Sequence, residues 1–391
     1  MSAPGAIRRA RLARAWRDGR LGLIGSLLAP AAWAYRAGLA ARESAYARGL
    51  LTSGRLSCPV VSVGNLALGG TGKTPTVELV ARWLGAEGRR VAIVSRGYGR
   101  RVDEPVELVS DGGPPRLSAE RAGDEPFLLA RRLPGVGVVV GADRLEAGRW
   151  AVRHLRPDVV LLDDGFQQRR LRKDVEIVCL DARAPWGRGG LFPRGTLREP
   201  PSALARAHLV VLTGSGGDPD PGGLRSEVRR RVGPVPCLSA DYAVDGLEDL
   251  RSGARRPETD LKGRAVLAFA GIAAPERLAE TLAAHGALVR EVIAFPDHHR
   301  YGSRDLEAVV ARGVAVGAQL LVTTEKDAVR LPARGRPDAG ICSSAVWPRD
   351  AGLPVCALLV RLVPVAEADW RAALSARIDA ATSLGRTDGT R

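Results

Sequence analysis

The strongest chemical signal in the sequence is a glycine-rich loop that ends in lysine and threonine. An apolar run, Val60–Val63, leads into the segment GNLALGGTGKTP at residues 64–75, which precedes a helix-like stretch. Glycines let consecutive backbone N–H groups face one anion, Lys73 can reach the β- and γ-phosphates of a nucleotide, and the Thr74 hydroxyl can ligate Mg²⁺. The segment predicts a phosphate-binding loop. The usual spacing has glycine where this chain has Ala67, so the turn that starts the loop must be made differently.

A pair of acidic residues is the second chemical signal. Asp163 and Asp164 directly follow the apolar run Val159–Leu162. A strand that ends in aspartate is what a phosphate-loop enzyme uses to hold magnesium. The same pair could instead cap a helix or form a surface ion pair, but beside a phosphate loop the sequence favours metal support.

Buried strands must position these residues. Continuous apolar runs are separated by helix-length spacers, which indicates strands buried on both faces in a mostly parallel, doubly wound α/β sheet of the phosphate-loop NTPase type. The predicted strands are Pro59–Val63, Arg90–Ser95, Val136–Gly141, Asp158–Leu162, Val175–Leu180 and His208–Thr213. Ligands of such sheets bind at the carboxyl ends of the strands, where Lys73, Tyr98 and Asp164 are expected.

A second, smaller α/β domain is expected toward the carboxyl end. The pattern predicts strands at Val266–Ala270, Val289–Phe295 and Gln319–Thr323, with helices at Pro275–His285 and Ser303–Val316. Pro275 is a suitable helix start and Gly286 a suitable stop. The predicted division is an amino-terminal helical segment at 1–49, a phosphate-loop core at 50–235, a connector with the second domain at 236–383, and a disordered tail at 384–391.

Composition limits the environment and the partners. The 391 residues carry a net charge of +15, which suits anionic partners, although arginine richness can also reflect genomic base composition. Nucleic acid is the least favoured partner because no recognised module or interleaved aromatic pattern accompanies the charge. The five cysteines form no C-x-x-C pair, which argues against zinc and disulfides and favours a reducing cytosol.

The first fifty residues predict contact with a membrane surface. Arginines precede an apolar stretch, Leu21–Ala34, that is shorter than the about 20 residues of a span and is interrupted by Gly25 and Pro30. Such a segment is typical of an interfacial helix. The basic side chains are those of Arg8, Arg9, Arg11, Arg14, Arg17 and Arg20, and the apolar ones are those of Leu12, Trp16, Leu23, Ile24, Leu27 and Trp33. A signal peptide and a helix docked on the protein's own core are the alternatives.

Several short blocks together resemble one enzyme family. They are Gly64-Asn65 with Gly69–Pro75, Ser95–Arg100 (SRGYGR), Gly123–Pro126 (GDEP), Asp163–Gln167 (DDGFQ), Leu197–Pro200 (LREP), Phe295–His299 (FPDHH) and Thr324–Asp327 (TEKD). In this order and spacing they resemble the tetraacyldisaccharide 4′-kinases of lipid A assembly, over about residues 10 to 365. The family's loop does not need glycine at the position of Ala67. TEKD is also similar to the guanine-reading N-K-x-D motif, but its order is wrong, so it is expected to close the second domain over the nucleotide or to cap a helix.

The resemblance implies an ATP- and Mg²⁺-dependent kinase. Its acceptor would be the 4′-hydroxyl of an acylated glucosamine disaccharide 1-phosphate, taken from the cytoplasmic face of a bacterial inner membrane by a peripheral or monotopic protein, expected to be a monomer. By similarity, Asp124 is the catalytic base and His298 tunes it, with the neighbouring His299 left open as the alternative partner. The remaining expected site residues are Gly69, Gly70, Thr71, Gly72, Lys73, Thr74 and Pro75 for ATP, Thr74, Asp163 and Asp164 for the metal, and Asn65, Tyr98, Arg144, Gln167, Arg198 and Glu199 for substrate or phosphate.

Each of these residues also has a structural interpretation. Asp124 could be a helix N-cap, the two histidines ordinary loop residues, and Arg144 a solvated surface arginine. Glu199 could be only the ion-pair partner of Arg198. Two other functions remain open at this point: a phosphate-loop kinase of another anionic small molecule, and a nucleotide-switch ATPase that controls a membrane-bound partner. A kinase needs a base for its acceptor hydroxyl, whereas a switch needs only a positioned water.

Overall fold

The chain forms two units that each have their own core. The computed structural model describes residues 15, 16, 19, 22–331 and 352–387, excluding the side chains of residue 23 and residues 382–387. The first unit, called here the loop unit, comprises Met1–Arg96, Gly135–Asp241 and Leu362–Arg391. The second unit comprises Gly97–Pro134 and Tyr242–Arg361.

Thirteen strands are present in the described residues. They are β1 (Val60–Asn65), β2 (Val91–Ser95), β3 (Val106–Asp111), β4 (Gly137–Gly141), β5 (Val159–Asp163), β6 (Val175–Asp181), β7 (Leu209–Thr213), β8 (Cys237–Asp249), β9 (Arg255–Arg256), β10 (Ala265–Ala270), β11 (Leu288–Ala294), β12 (Leu320–Thr324) and β13 (Val355–Pro364). The helices are α1 (Leu23–Leu27), α2 (Ala29–Ala47), α3 (Lys73–Ala86), α4 (Ala119–Ala122), α5 (Asp124–Arg132), α6 (Arg144–Leu155), α7 (Leu224–Val232), α8 (Pro275–Ala284), α9 (Ser303–Ala315), α10 (Glu325–Ala328) and α11 (Glu367–Thr387).

The loop unit contains a parallel sheet in the order β8-β7-β6-β1-β5-β2-β4. Its central strands are buried along their whole length, as expected for a sheet covered on both faces. The register pairs Val63 of β1 with Asp163 of β5, so the glycine-rich loop and the two aspartates leave the sheet at the same edge. The doubly wound α/β fold predicted from the apolar runs is confirmed.

The second unit contains the parallel order β11-β10-β12-β13 and a short antiparallel pair of β8 with β9. One core lies under α9 and includes Phe269, Leu306 and Tyr301. Another lies under α8 and includes Leu278 and Leu282. Pro275 is the first residue of α8, as its position in the sequence predicted.

The predicted elements agree closely with the observed ones, but the units are assembled from more segments than the predicted division. All eleven strands and helices predicted by residue range occur, with ends within two residues. The second unit also takes Gly97–Pro134 from between β2 and β4, and the chain returns to the loop unit at Leu362. Two of the four crossings are made inside the continuous strands β8 and β13 rather than in polar linkers, so the sequence gives no boundary signal at those two points.

The amino-terminal segment of the loop unit forms the two helices α1 and α2. The Tyr35 hydroxyl donates to the backbone oxygen of Arg198 at 2.8 Å, and the ring of Tyr35 lies edge-on to Phe192. No residue of α2 is buried. Leu27 and Trp33 are 79% and 67% exposed. The predicted interfacial residues Arg8, Arg9, Leu12, Arg11, Arg14, Arg17 and Arg20 lie outside the described residues. In the described part of the chain, no helix combines the length and apolar character needed to cross a bilayer.

Candidate active site

The glycine-rich loop connects buried strand β1 to helix α3, which begins at Lys73. Gly69 and Gly72 have φ angles of 113° and 82°, which disfavour any residue with a side chain. A Cβ atom built at Gly69 or Gly70 would meet no heavy atom within 4 Å, so this wall of the loop is open. The start of the loop, where glycine is usual, is held by a bridge between Ala67 and Leu197 and by the Leu68 amide donating to the Thr196 carbonyl at 2.8 Å.

Asn65 braces the loop from inside. Its side chain is fully buried, and Nδ2 donates to the Ala67 carbonyl at 2.5 Å and to Thr71 Oγ1 at 2.7 Å. The Thr71 carbonyl in turn accepts from the Thr213 hydroxyl at 3.2 Å. These bonds fix the loop on both sides, which reduces the entropy lost when a ligand binds.

Asp163 and Asp164 lie at the same sheet edge as the loop. Asp163 is 1% exposed, and its Oδ2 accepts a hydrogen bond from the Ser95 hydroxyl at 3.1 Å. Asp164 has a φ angle of 55°, a left-handed conformation that aspartate tolerates better than most residues. Lys73 Nζ lies 3.9 Å from Asp164 Oδ1.

Arg198 places a second cation on the same carboxylate. Its Nη1 lies 2.8 and 2.7 Å from the two oxygens of Asp164 and 3.4 Å from Gln167 Oε1. Gln167 Nε2 donates to the Asn65 carbonyl at 2.9 Å. Lys73, Arg198, Gln167 and Asp164 therefore form one connected group next to the loop.

Arg144 and Glu199 have structural partners of their own. Arg144 is the first residue of α6, follows the N-cap Asp143 and is 5% exposed. Burial lowers the pKa of its guanidinium, and repulsion from Arg96 adds to this. Its Nε has no hydrogen-bond partner among the described residues.

Glu199 accepts from Arg206 Nη2 at 2.8 Å and lies 3.8 Å from Arg42, so the alternative that it pairs with Arg198 is wrong.

A second group of predicted residues comes together in the second unit. Asp124 is the first residue of α5, where its carboxylate lies at the positive end of the helix. His298 Nδ1 lies 3.3 Å from Asp124 Oδ2, whereas His299 contacts Asp305 instead. The Tyr98 ring lies 5.8 Å from the His298 ring and is 72% exposed. Of the two histidines, His298 is therefore the one beside Asp124.

Arg330 completes this group and was missed by the sequence reasoning. Its Nε donates to Asp124 Oδ2 at 2.6 Å. Burial disfavours the charged form of Asp124, but hydrogen bonds from His298 and Arg330 outweigh burial and lower the pKa of the carboxyl group. Arg330 lies three residues after Asp327 of the TEKD block, and this nearness to a family motif is the sequence feature that could have pointed to it.

The TEKD block caps helix α10 and ties it to Gly271 and Tyr301 through the buried Asp327 side chain. The Thr324 hydroxyl accepts from the Asp327 amide at 3.2 Å at the start of α10. The Asp327 side chain is fully buried and accepts from the Gly271 amide and from the Tyr301 hydroxyl, both at 2.8 Å. Burial, together with the Asp327 charge, raises the pKa of Tyr301.

The groups around the glycine-rich loop fit a nucleoside triphosphate with magnesium. The open wall at Gly69 and Gly70 and the helix N-terminus suit phosphate oxygens. Lys73 supplies a cation, and the Thr74 hydroxyl with the carboxylates of Asp163 and Asp164 supplies oxygen ligands of the kind that magnesium prefers. Parallel sheet, loop and aspartate pair together define a phosphate-loop nucleotide-binding protein.

Comparisons with known proteins give the family. Residues 24–378 match the model of the family described as Tetraacyldisaccharide-1-P 4′-kinase. A relative from Geobacter metallireducens named Tetraacyldisaccharide 4′-kinase is 44% identical over 309 residues, which cover 79% of this chain and 89% of that protein. One of the same name from Anaeromyxobacter dehalogenans strain 2CP-C is 48% identical over 322 residues, covering 81% and 84%. The crystal structure of the "apo" form of LpxK from Aquifex aeolicus in complex with ATP has a TM-score of 0.68 at 29% identity and covers 91% of this chain and 99% of that one.

The chain therefore belongs to the tetraacyldisaccharide-1-P 4′-kinase family. The resemblance inferred from the short sequence blocks is confirmed.

Proposed function

We propose that this protein transfers the γ-phosphoryl group of ATP to the 4′-hydroxyl of a tetraacylated glucosamine disaccharide 1-phosphate, a step in lipid A biosynthesis. The observation that carries the proposal is the braced glycine-rich loop with Asp163 and Asp164 at the same sheet edge, in a chain that belongs to this family of kinases. The names of the relatives support the same acceptor.

The residues of the loop unit bind and orient the triphosphate. Backbone N–H groups of Gly69–Lys73 and the Lys73 ammonium hold the β- and γ-phosphates, while Asn65 keeps the loop in shape. Thr74, Asp163 and Asp164 would hold magnesium, which would neutralise charge on the phosphates. Arg198 gives the transferring group a further cation, because its contact with Asp164 keeps it next to Lys73. Arg144, whose Nε has no partner among the described residues, is a second candidate for this role.

Asp124 accepts the proton of the sugar hydroxyl. Its lowered pKa keeps it ionised at neutral pH, so it can accept a proton without first losing one. A carboxylate of lowered pKa is a weak base, but a loose phosphoryl-transfer transition state requires little deprotonation before attack. His298 orients the carboxylate, and the exposed Tyr98 ring beside His298 offers a surface for the sugar.

The amino-terminal helices are proposed to rest on the cytoplasmic face of the inner membrane. The support is the arginine-rich start of the sequence and the exposure of Leu27 and Trp33. Replacing both by glutamate should reduce co-flotation with anionic liposomes and raise the apparent KM for the lipid more than that for ATP. Val314, which is 62% exposed in the second unit, provides the control as Val314→Glu. Equal flotation of the two variants would refute the membrane role.

The experiment that tests the function uses labelled ATP. The full chain is incubated with [γ-³²P]ATP, magnesium and the acylated disaccharide 1-phosphate in mixed micelles, and label is expected on the distal sugar. Lys73→Ala and Asp124→Ala should abolish transfer, while both variants still fold and unfold in a cooperative thermal transition. The exposed Lys262 and Asp369 serve as matched controls. Release of inorganic phosphate with no lipid product would reject the proposed function and favour an ATPase switch.

A further inference from the structure

Arg330 is a buried cation with contacts to both members of the Asp124–His298 pair. Its side chain is 4% exposed. Nε donates to Asp124 Oδ2 at 2.6 Å, and Nη2 lies 3.2 Å from His298 Nδ1. We propose, on the basis of the proposed function, that Arg330 is a positioning residue that fixes the Asp124 carboxylate for proton acceptance.

The guanidinium is itself held from behind. Nη1 donates to the Gly271 carbonyl at 2.9 Å and lies 3.4 Å from Asp327 Oδ1. Asp327 is fixed by the Gly271 amide and the Tyr301 hydroxyl, and its second oxygen lies 2.6 Å from Thr324 Oγ1. Because each group on this path is buried or half-buried and hydrogen-bonded, Arg330 cannot easily follow a moving Asp124. The fixed guanidinium therefore holds the Asp124 carboxylate in one position.

The contacts place Arg330 and His298 in competition. Both lie within hydrogen-bond distance of Asp124 Oδ2. A guanidinium can only donate, so a bond from Nη2 to His298 Nδ1 requires that Nδ1 carry no proton. In that tautomer Arg330 alone donates to Oδ2, whereas a protonated Nδ1 donates to Oδ2 together with Arg330, so Arg330 holds Oδ2 in either tautomer. Among the described residues no hydrogen bond reaches Asp124 Oδ1, which leaves that oxygen for the acceptor hydroxyl.

Other charged groups near the pair are already matched. Glu125, next to Asp124 on α5, forms an ion pair with Lys326. Asp327 contacts Arg330 from the side opposite Asp124, and the Tyr98 ring faces His298. Removing the Arg330 charge would therefore leave Asp124 with His298 as its remaining partner, and the carboxylate would be protonated at higher pH.

The test compares Arg330→Gln and Arg330→Lys in the lipid-phosphorylation assay over a range of pH. Arg330→Gln should lower kcat by about 10- to 100-fold through misplacement of the carboxylate, leave the KM for ATP unchanged, and move the acid limb of kcat/KM to higher pH. Arg330→Lys keeps the charge but not the fork, so kcat should fall while the acid limb stays near its wild-type position. Arg300→Gln, which removes an exposed arginine paired with Glu120 in the same unit, is the control and should match the wild type.

The outcomes separate this inference from the proposed function. A wild-type protein that does not label the distal sugar refutes the function itself. If the wild type is active, a folded Arg330→Gln variant whose acid limb has not moved refutes the positioning role alone, since a merely structural arginine would lower activity equally at every pH. If Arg330→Gln does not fold, Arg330→Lys decides, and a wild-type kcat in that variant overturns the inference.

Discussion

Gly64 is expected to control the position of the two aspartates through a single close contact. A Cβ atom at residue 64 would lie 2.5 Å from Phe166 Cβ and 2.7 Å from the Phe166 backbone nitrogen. Ordinary contact begins at 3.4 Å, so Gly64→Ala would push the Asp163–Phe166 turn away by about 0.9 Å, the difference between 3.4 and 2.5 Å. Phe166 is fully buried, so the shift cannot be absorbed by a flexible side chain.

The magnitude of the effect follows from this displacement. Overpacking costs about 1–3 kcal/mol. Replacing a strand glycine by alanine returns about 0.5–1 kcal/mol of conformational entropy. A net loss of roughly 1–2 kcal/mol should lower Tm by about 2–4 °C for each kcal/mol in a unit of this size. A displacement near 1 Å at Asp163 and Asp164, the proposed metal-binding carboxylates, should lower kcat by about a hundredfold.

Calorimetry and the labelled-ATP assay measure the two effects separately. Gly85→Ala is the matched control, because a Cβ there meets nothing within 4 Å and the residue lies in α3. That substitution should leave kcat unchanged and keep or slightly raise Tm. If Gly64→Ala gives the same Tm and kcat as Gly85→Ala, the close approach of residue 64 to Phe166 does not control the position of the aspartates.

Three further predictions concern charge and burial. Arg198→Lys, which removes the Nη1 group that contacts both oxygens of Asp164, should lower kcat/KM for ATP about tenfold, as steady-state kinetics would measure; an unchanged value would exclude a role for the guanidinium. Because the pKa of folded Asp124 is lowered, its contribution to stability is complete above the unfolded value of about 3.9 and is lost as the pH falls through the folded value. Urea midpoints measured from pH 6 downward should therefore fall more steeply for the wild type than for Asp124→Asn, and parallel curves would contradict the shift. Burial raises the pKa of the Cys179 thiol to about 12 and, with the Asp174 charge, that of Cys58 to about 11, so peptide mapping should find both far less alkylated by iodoacetamide at pH 8 in the native than in the urea-unfolded protein.

The sequence was sufficient to predict the parallel sheets in those strands whose residues are all buried. The strands around Val60, Val91 and Val159 are apolar on both faces, and such runs have few alternatives to a parallel sheet. Glycines at Gly69 and Gly72 were equally informative, because the left-handed backbone conformation that they adopt is a local property.

Contacts between distant parts of the chain required the structure. Asp124 and Arg330 are separated by 206 positions, and nothing in the local pattern of either residue indicates the other. The same holds for Glu199, which pairs with Arg206 and Arg42 while its neighbour Arg198 turns to Asp164. In an arginine-rich chain, composition cannot select which guanidinium reaches which carboxylate.

The sequence by itself determined the phosphate loop, the parallel sheets and the family, because each depends on short-range backbone preferences or on contiguous blocks of residues. Only the tertiary structure decided that His298 rather than His299 lies beside Asp124, that Arg330 joins them, and that residues 97–134 belong to the second unit. The physical reason is that side-chain partners and segment exchange depend on packing between residues far apart in the chain, whose identities do not constrain one another until the core has formed.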